Sequence, residues 1–264
     1  MHGKHRAVGV LLGLGLAAAA TAAAAPATPQ SQFAVGTLNL RGTLRVVSTP
    51  VECPSGAPSD AAECRARTGE APIPGLGVVS ESYIWSYEIG PPTCPANLGK
   101  PLATNGRLVV AGKGEVHFAL AEGVNCVDVE PLRNEPQDFT ITGGMGLYAG
   151  ASGTGTVERS LGGGVGTERW TGTLVAPEVE FDVTPPTLIG AKPKTVRAPK
   201  GAKRVRVTYA VSARDDVDGA VPVSCSPRSG TRFQIGRSVV TCSATDASAN
   251  VRTAKFTITV KPRP

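Results

Sequence analysis

From Phe33 onward, apolar residues recur at alternate positions in short runs, and glycine or proline closes each run. Alternation with period two gives a strand two unlike faces, whereas a helix needs apolar residues three and four positions apart. In Val78 to Ile89, Tyr83, Trp85 and Tyr87 share one face while Ser82, Ile84, Ser86 and Glu88 share the other. Arg204 to Ala213 is the cleanest such run, with Val205, Val207, Tyr209 and Val211 inward and Arg204, Arg206, Thr208 and Ser212 outward. With 32 glycines and 22 prolines spread through the chain, the pattern predicts an all-β protein of short strands and many turns. The expected architecture is a small antiparallel β-barrel-like domain over 33–182, then an immunoglobulin-like β-sandwich over 183–262.

The first 27 residues have a basic start, an apolar run from Ala7 to Ala20 and a small-residue exit, the layout of a secretory signal peptide. No other run reaches the ~20 apolar residues of a membrane-spanning helix. The chain therefore reads as secreted or extracellular, able to associate with a cell surface, and its Ala/Gly/Arg/Val bias suits a bacterial source. Six cysteines in an exported chain read as disulfides rather than thiols or metal ligands. A domain boundary between Cys126 and Cys225 pairs Cys225 with Cys242. The other four have three possible pairings, of which Cys53 with Cys64 and Cys94 with Cys126 are favoured because each closes a loop between expected strands.

In the first domain, Phe33 to Val47 reads as one or two strands, and Thr49 to Gly77 as a long loop pinned by a disulfide. Further strands are expected at Arg107–Ala111, Val116–Ala121, Val124–Val129 and Phe139–Thr142. Glu168 to Val183 closes the domain, with Val179, Phe181 and Val183 on one face and Glu178, Glu180 and Asp182 on the solvated one. Between Gly143 and Gly164 glycine is densest. Gly144-x-Gly146-x-x-Ala149 imitates a dinucleotide fingerprint, but the Ser-Gly-Thr-Gly that follows opens no helix. Phe139 to Gly153, read as a strand-turn-strand, resembles the signature of dirigent proteins and allene oxide cyclase barrels, with Met145 for the usual Thr and Tyr148 for Phe. That resemblance implies a barrel holding a small apolar ligand or guiding its cyclisation or coupling, with Tyr83, Trp85 and Tyr87 as candidate lining. It carries over no catalytic residue.

In the second domain, Thr184-Pro185-Pro186, the stretch VPVSCSPRSGTRFQIGRSVVTCSATDASAN from Val221 to Asn250, and Phe256 to Val260 together resemble a hyalin repeat over Phe181 to Pro262. The family ends its cysteine strand with Asp-x-x-Gly-Asn, and here Ala249 stands where glycine is expected. The turn must therefore form without a free position of positive φ, or use Asn250 for it. Hyalin repeats are similar to other extracellular adhesion modules, so the resemblance implies surface binding without catalysis.

Catalytic constellations are scarce. His117 is the one histidine beyond the expected signal peptide, it lies in an alternating strand, and no Gly-x-Ser-x-Gly elbow accompanies it. The same shortage argues against a zinc site. Glu178, Glu180 and Asp182 on one strand face, and Glu81 and Glu88 flanking the aromatic strand, read as solvated sheet carboxylates rather than as a glycosidase pair. Asp215, Asp216 and Asp218 form an acidic turn that Asx-turn chemistry explains without calcium, so neither metal nor cofactor is expected. Lys192, Lys194, Arg197, Lys200, Lys203, Arg204 and Arg206 form a basic run with no acid among them. It suits an extracellular protein, a glycan or an anionic cell-wall polymer, and equally the solvated edge that blocks strand aggregation. Nucleic acid is not expected, because exposed aromatics are not interleaved with the charge. The reading is a secreted, non-enzymatic binding or adhesion protein, with a ligand-binding or cyclase-like barrel as the alternative.

Overall fold

The computed structural model describes residues 33–90, 94, 98–123, 126 and 133–263. The expected signal peptide lies outside these residues, as does the strand expected at Val124–Val129 apart from Cys126. Among the described residues no helix is long and apolar enough to cross a membrane.

The first nine strands are β1 (Phe33–Val51), β2 (Glu63–Ile73), β3 (Gly77–Ile89), β4 (Gly99–Pro101), β5 (Thr104–Val110), β6 (Gly114–Leu120), β7 (Arg133–Gly146), β8 (Gly153–Gly162) and β9 (Val165–Asp182). Each pairs antiparallel with its neighbours in the order β2-β1-β9-β8-β7-β6-β5-β3, and β2 also pairs with β3. The last pairing closes an eight-stranded barrel, with β4 attached to β3 outside the circuit. Closure leaves no unpaired edge, and every strand must then place one face inward.

Large rings fill this interior because glycines make room for them. Gly155 and Gly172 are register partners, and a Cβ on Gly155 would lie 2.6 Å from the Phe139 ring. Likewise a Cβ on Gly106 would lie 2.4 Å from Phe118. Trp170 sits between these two rings, with centroids 4.8 Å from Phe118 and 4.9 Å from Phe139. The glycine-dense stretch is thus mainly strand. One turn joins β7, which ends at Gly146 with φ +65°, to β8, and a second at Gly163-Gly164 joins β8 to β9.

Two expectations for the barrel are corrected. The segment Thr49–Gly77 is not one loop: β2 occupies Glu63–Ile73 and pairs with both β1 and β3. Its polarity disguised it, since Arg65 and Arg67 point inward with Ala71 and Ile73. At the end of β9, Glu178 and Glu180 are exposed as expected, but Asp182 is buried and Val183 is exposed.

Beyond the barrel come β10 (Thr187–Ile189), β11 (Lys194–Arg197), β12 (Arg204–Arg206), β13 (Ser212–Asp215), β14 (Gly219–Val221), β15 (Val223–Ser226), β16 (Arg232–Gln234), β17 (Gly236–Thr245) and β18 (Val251–Lys261). They form the sheets β11-β18-β17-β15, β10-β13-β14 and β12-β16. Val240, Cys242, Phe256, Ile258 and Val260 of the four-stranded sheet pack with Phe233 and Val207 in a second core. The run Arg204 to Ala213 is not one strand. After Arg206 the chain leaves its partner β16, and at Ser212 it joins β10, so the intervening residues cross between sheets. Ser229 holds the crossing by accepting from the Tyr209 N–H at 2.9 Å and donating to the Tyr209 carbonyl at 2.7 Å.

The bridges join Cys53 to Cys64, Cys94 to Cys126 and Cys225 to Cys242. Cys225 and Cys242 are register partners on β15 and β17, so that bridge ties neighbouring strands. The two cores meet at the loop after β17. The Gly75 N–H donates to the Ser248 carbonyl at 2.8 Å, and Asn250 Nδ2 donates to the Asp182 carbonyl at 3.0 Å. At Gly77 a Cβ would lie 2.7 Å from the Ala247 carbonyl oxygen.

Candidate functional site

Tyr83, Trp85 and Tyr87 all point into the barrel, and charged side chains accompany them there. Glu168 Oε1 accepts from the Tyr83 hydroxyl at 2.6 Å, from Arg67 Nη1 at 3.1 Å and from Arg159 Nε at 3.2 Å. Arg159 Nη1 also donates to Gln137 Oε1 at 2.8 Å, and Trp170 Nε1 donates to Glu81 Oε2 at 3.2 Å. The Trp85 ring takes both guanidinium groups, Arg67 Cζ at 3.8 Å and Arg159 Cζ at 4.6 Å from its centroid. Two cations and two carboxyl groups therefore share one buried interior.

That environment shifts the acids in a definite direction. Burial holds the Glu81 carboxyl well above the ordinary glutamate range, and the charge of Glu168 pushes the same way. Burial likewise raises Tyr83 well above the ordinary phenol value and pushes Tyr87 up to about 12. Catalysis by such groups requires a substrate within hydrogen-bond reach of one of them. Arg67, Arg159 and Glu168 are at most 1% exposed, and both arginines bond Glu168, so the network serves first to fill and fix the barrel. The groove of about 480 Å³ lined by Pro54, Pro58, Ile84, Ser86 and Thr104 lies on the other face of β3. His117 lies on β6, partly exposed, 3.3 Å from Glu115 Oε2.

Of these interior charges Glu81 alone was singled out from the sequence, as a solvated carboxylate beside the aromatic strand, whereas it is buried at 3% exposure; Arg67, Arg159 and Glu168 were not marked. The signal was nevertheless present as phase: Glu81 precedes Tyr83 by two, Glu168 precedes Trp170 by two, and Arg159 lies between Val157 and Leu161 on the same face.

A second group of acids gathers where the two cores meet. Asp215 forms the expected Asx turn, its Oδ1 accepting from the N–H groups of Val217 and Asp218. This turn presents Asp218 to Asp182 and Asp246, and one carboxylate oxygen from each of the three lies within 4.8 Å of the others. Burial raises both Asp182 and Asp246 above the usual aspartate range, against the hydrogen bonds from Thr184 and Asn250 that lower them. Ala249 in the same loop adopts φ +65°. The turn where glycine was expected is thus made by the alanine itself and not by Asn250.

The opposite charge dominates the rest of the sandwich. Residues 183–264 carry fifteen Lys and Arg against four Asp and no Glu, whereas 33–182 carry ten Lys and Arg against seventeen Asp and Glu. Lys192, Lys194, Arg197, Lys200, Lys203, Arg204 and Arg206 are all exposed. Among the described residues none of the seven forms an ion pair. Strand pairing concentrates them with further cations: Arg206 is the register partner of Arg232, and Arg197 of Lys261.

Residues 181–260 match the HYR domain. Hyalin from Strongylocentrotus purpuratus is 38% identical over 92 residues, 34% of this chain and 8% of hyalin itself. The chain thus spans less than a tenth of the length of that relative. No solved structure matches the chain.

Proposed function

We propose that this chain is an exported, non-enzymatic binding protein that attaches at the extracellular surface by gripping an anionic polymer through the basic face of its sandwich. The observation that carries this reading is the set of seven exposed cations, Lys192 to Arg206, without carboxylate partners among the described residues. Unpaired charge on β11, on β12 and in the segments beside them creates a field that draws and holds a polyanion, with a strength that falls as salt screens it. The HYR match supports a surface role, since hyalin repeats resemble adhesion modules. In this reading the chain comprises an export segment over 1–27, a barrel domain over 33–182 and a sandwich domain over 183–262.

The experiment is chromatography of the full chain on a sulfated glycan and on neutral dextran, across a salt gradient. Retention on the sulfated matrix alone, lost as salt rises, is expected. Joint reversal of Lys203, Arg204 and Arg206 to Glu should cut affinity at least about tenfold, since each charge lost to a polyanion is worth roughly 1 kcal/mol. Equal retention on both matrices, or no effect of the reversal, would overturn the reading.

A second reading places a ligand in the barrel, as the dirigent-like turn suggests. Its favouring observation is that Arg67 Nε, Glu81 Oε1, Trp85 Nε1, Arg159 Nη2 and Glu168 Oε2 are buried without a hydrogen-bond partner. Their polarity favours a polar ligand over an apolar one. Native mass spectrometry of the oxidised chain after exposure to a phenolic and lipid extract tests it; an unchanged mass counts against it.

A further inference from the structure

The acidic corner where the sandwich meets the barrel carries an inference independent of the basic face. Its three carboxylates come from separate segments: Asp182 ends β9, Asp218 lies in the turn before β14, and Asp246 follows β17. Their closest set of oxygens lies within 4.8 Å, and among the described residues no Lys or Arg forms an ion pair with any of them.

Hydrogen bonding fixes the group without neutralising it. Asp218 Oδ2 accepts from the Ala247 N–H at 2.7 Å, and Asp246 accepts from the Asn250 backbone N–H and Nδ2 at 2.8 and 3.0 Å. Asp182 Oδ1 accepts from the Thr184 N–H at 3.0 Å. Asp182 is only 5% exposed, yet its Oδ2 has no hydrogen-bond partner. A buried carboxylate oxygen without a donor costs free energy, and two further carboxylates nearby add repulsion. A bound cation reverses both effects.

We propose that Asp182, Asp218 and Asp246 hold one Ca²⁺ ion, which fastens the sandwich to the end of the barrel's last strand. The donors are hard oxygens with no histidine or thiolate among them, which argues against zinc. They arrive on three independent segments, which suits the flexible coordination of Ca²⁺ better than the strict octahedron of Mg²⁺. Asn250 acts as the outer support, since its Nδ2 touches both Asp246 Oδ2 and the Asp182 carbonyl and so sets the orientation of two ligand-bearing segments.

The test is calorimetric titration and thermal melting of the full chain after chelator treatment, with CaCl₂ or MgCl₂ added. One Ca²⁺ per chain is expected, with Kd on the order of 10⁻⁴–10⁻³ M as for other extracellular modules. At hundredfold excess over Kd the melting temperature should rise by roughly 5–10 °C. Asp218→Asn keeps an acceptor for the Ala247 N–H, so it should melt as the metal-free protein does and lose the calcium-dependent rise. Asp182→Asn, which keeps an acceptor for Thr184, should lose it too. The proposal is overturned by an absent rise in the folded wild-type chain, by a rise that both variants retain, or by an equal rise with Mg²⁺.

Discussion

Arg67 and Glu168 stand 101 positions apart in the chain and 3.1 Å apart in the barrel, with side chains 1% and 0% exposed. The pair joins β2 to β9, two strands that do not bond each other and flank β1. Removing one member of a buried pair strands the other charge, at about 3–5 kcal/mol. Glu168→Gln, which strands Arg67 and Arg159 together, should lower the urea unfolding free energy by at least that much. A loss below about 1 kcal/mol would show that the interior charges are solvated.

Stability should also fall as pH rises through the range where buried carboxyl groups ionise. Glu81 is raised by burial and by Glu168, so the native state keeps a proton that the unfolded chain releases near the ordinary value of about 4.3. Between those two values the native state binds more protons, and this group's contribution to stability declines with increasing pH. Asp182 and Asp246 act in the same direction in metal-free protein. Urea midpoints measured from pH 4 upward in chelator should therefore decrease. Glu81→Gln, which still offers an acceptor to Trp170 Nε1, should flatten the slope, and an unchanged slope would count against the assignment.

Ala249 gives a third expectation. A left-handed conformation costs an L residue roughly 1–2 kcal/mol, and a β-branched residue more. Ala249→Gly relieves that strain but gives up a buried methyl worth about 0.8 kcal/mol, so it should be neutral or stabilising by up to about 1 kcal/mol. Ala249→Val should destabilise by about 2 kcal/mol or more. Thermal melting of the two variants should rank glycine at or above wild type and valine below; the reverse order would mean that the loop does not hold its positive φ.

The bridge between Cys225 and Cys242 closes a loop of 17 residues. By chain entropy its removal costs about 3 kcal/mol, and the complete burial of Cys242 adds lost packing. The double alanine variant should unfold at markedly lower urea. Removing the Cys53–Cys64 bridge, which closes only 11 residues, should cost less.

The strand pattern made β3, β6 and β18 legible in the sequence, because their inner faces are apolar or aromatic and their outer faces polar. It failed at β2, where Arg65 and Arg67 occupy the inner positions and make a wall strand look like a loop. It failed again at Asp182, whose alternation with Glu178 and Glu180 suggests solvent, although the loop ending at Asn250 covers it. The hyalin-like motifs located Asp246 and Asn250, and the run of aspartates from Asp215 to Asp218 marked the acidic turn on its own. The meeting of Asp182, Asp218 and Asp246 depends on how three distant segments converge, which local periodicity does not encode. Phase was the usable signal for the interior charges: an ionisable residue in step with tryptophan and tyrosine faces the same way they do.

Phe33 and Asp182 are register partners, so the first and last residues of the barrel sit side by side. A unit whose two ends meet at one point on its rim behaves as a cassette: a host chain can enter and leave through the same doorway, and the old ends can be stitched together while new ones are opened at an exposed turn such as Gly163-Gly164. Such a re-joining of Phe33 to Asp182 would leave every strand pairing of the barrel in place.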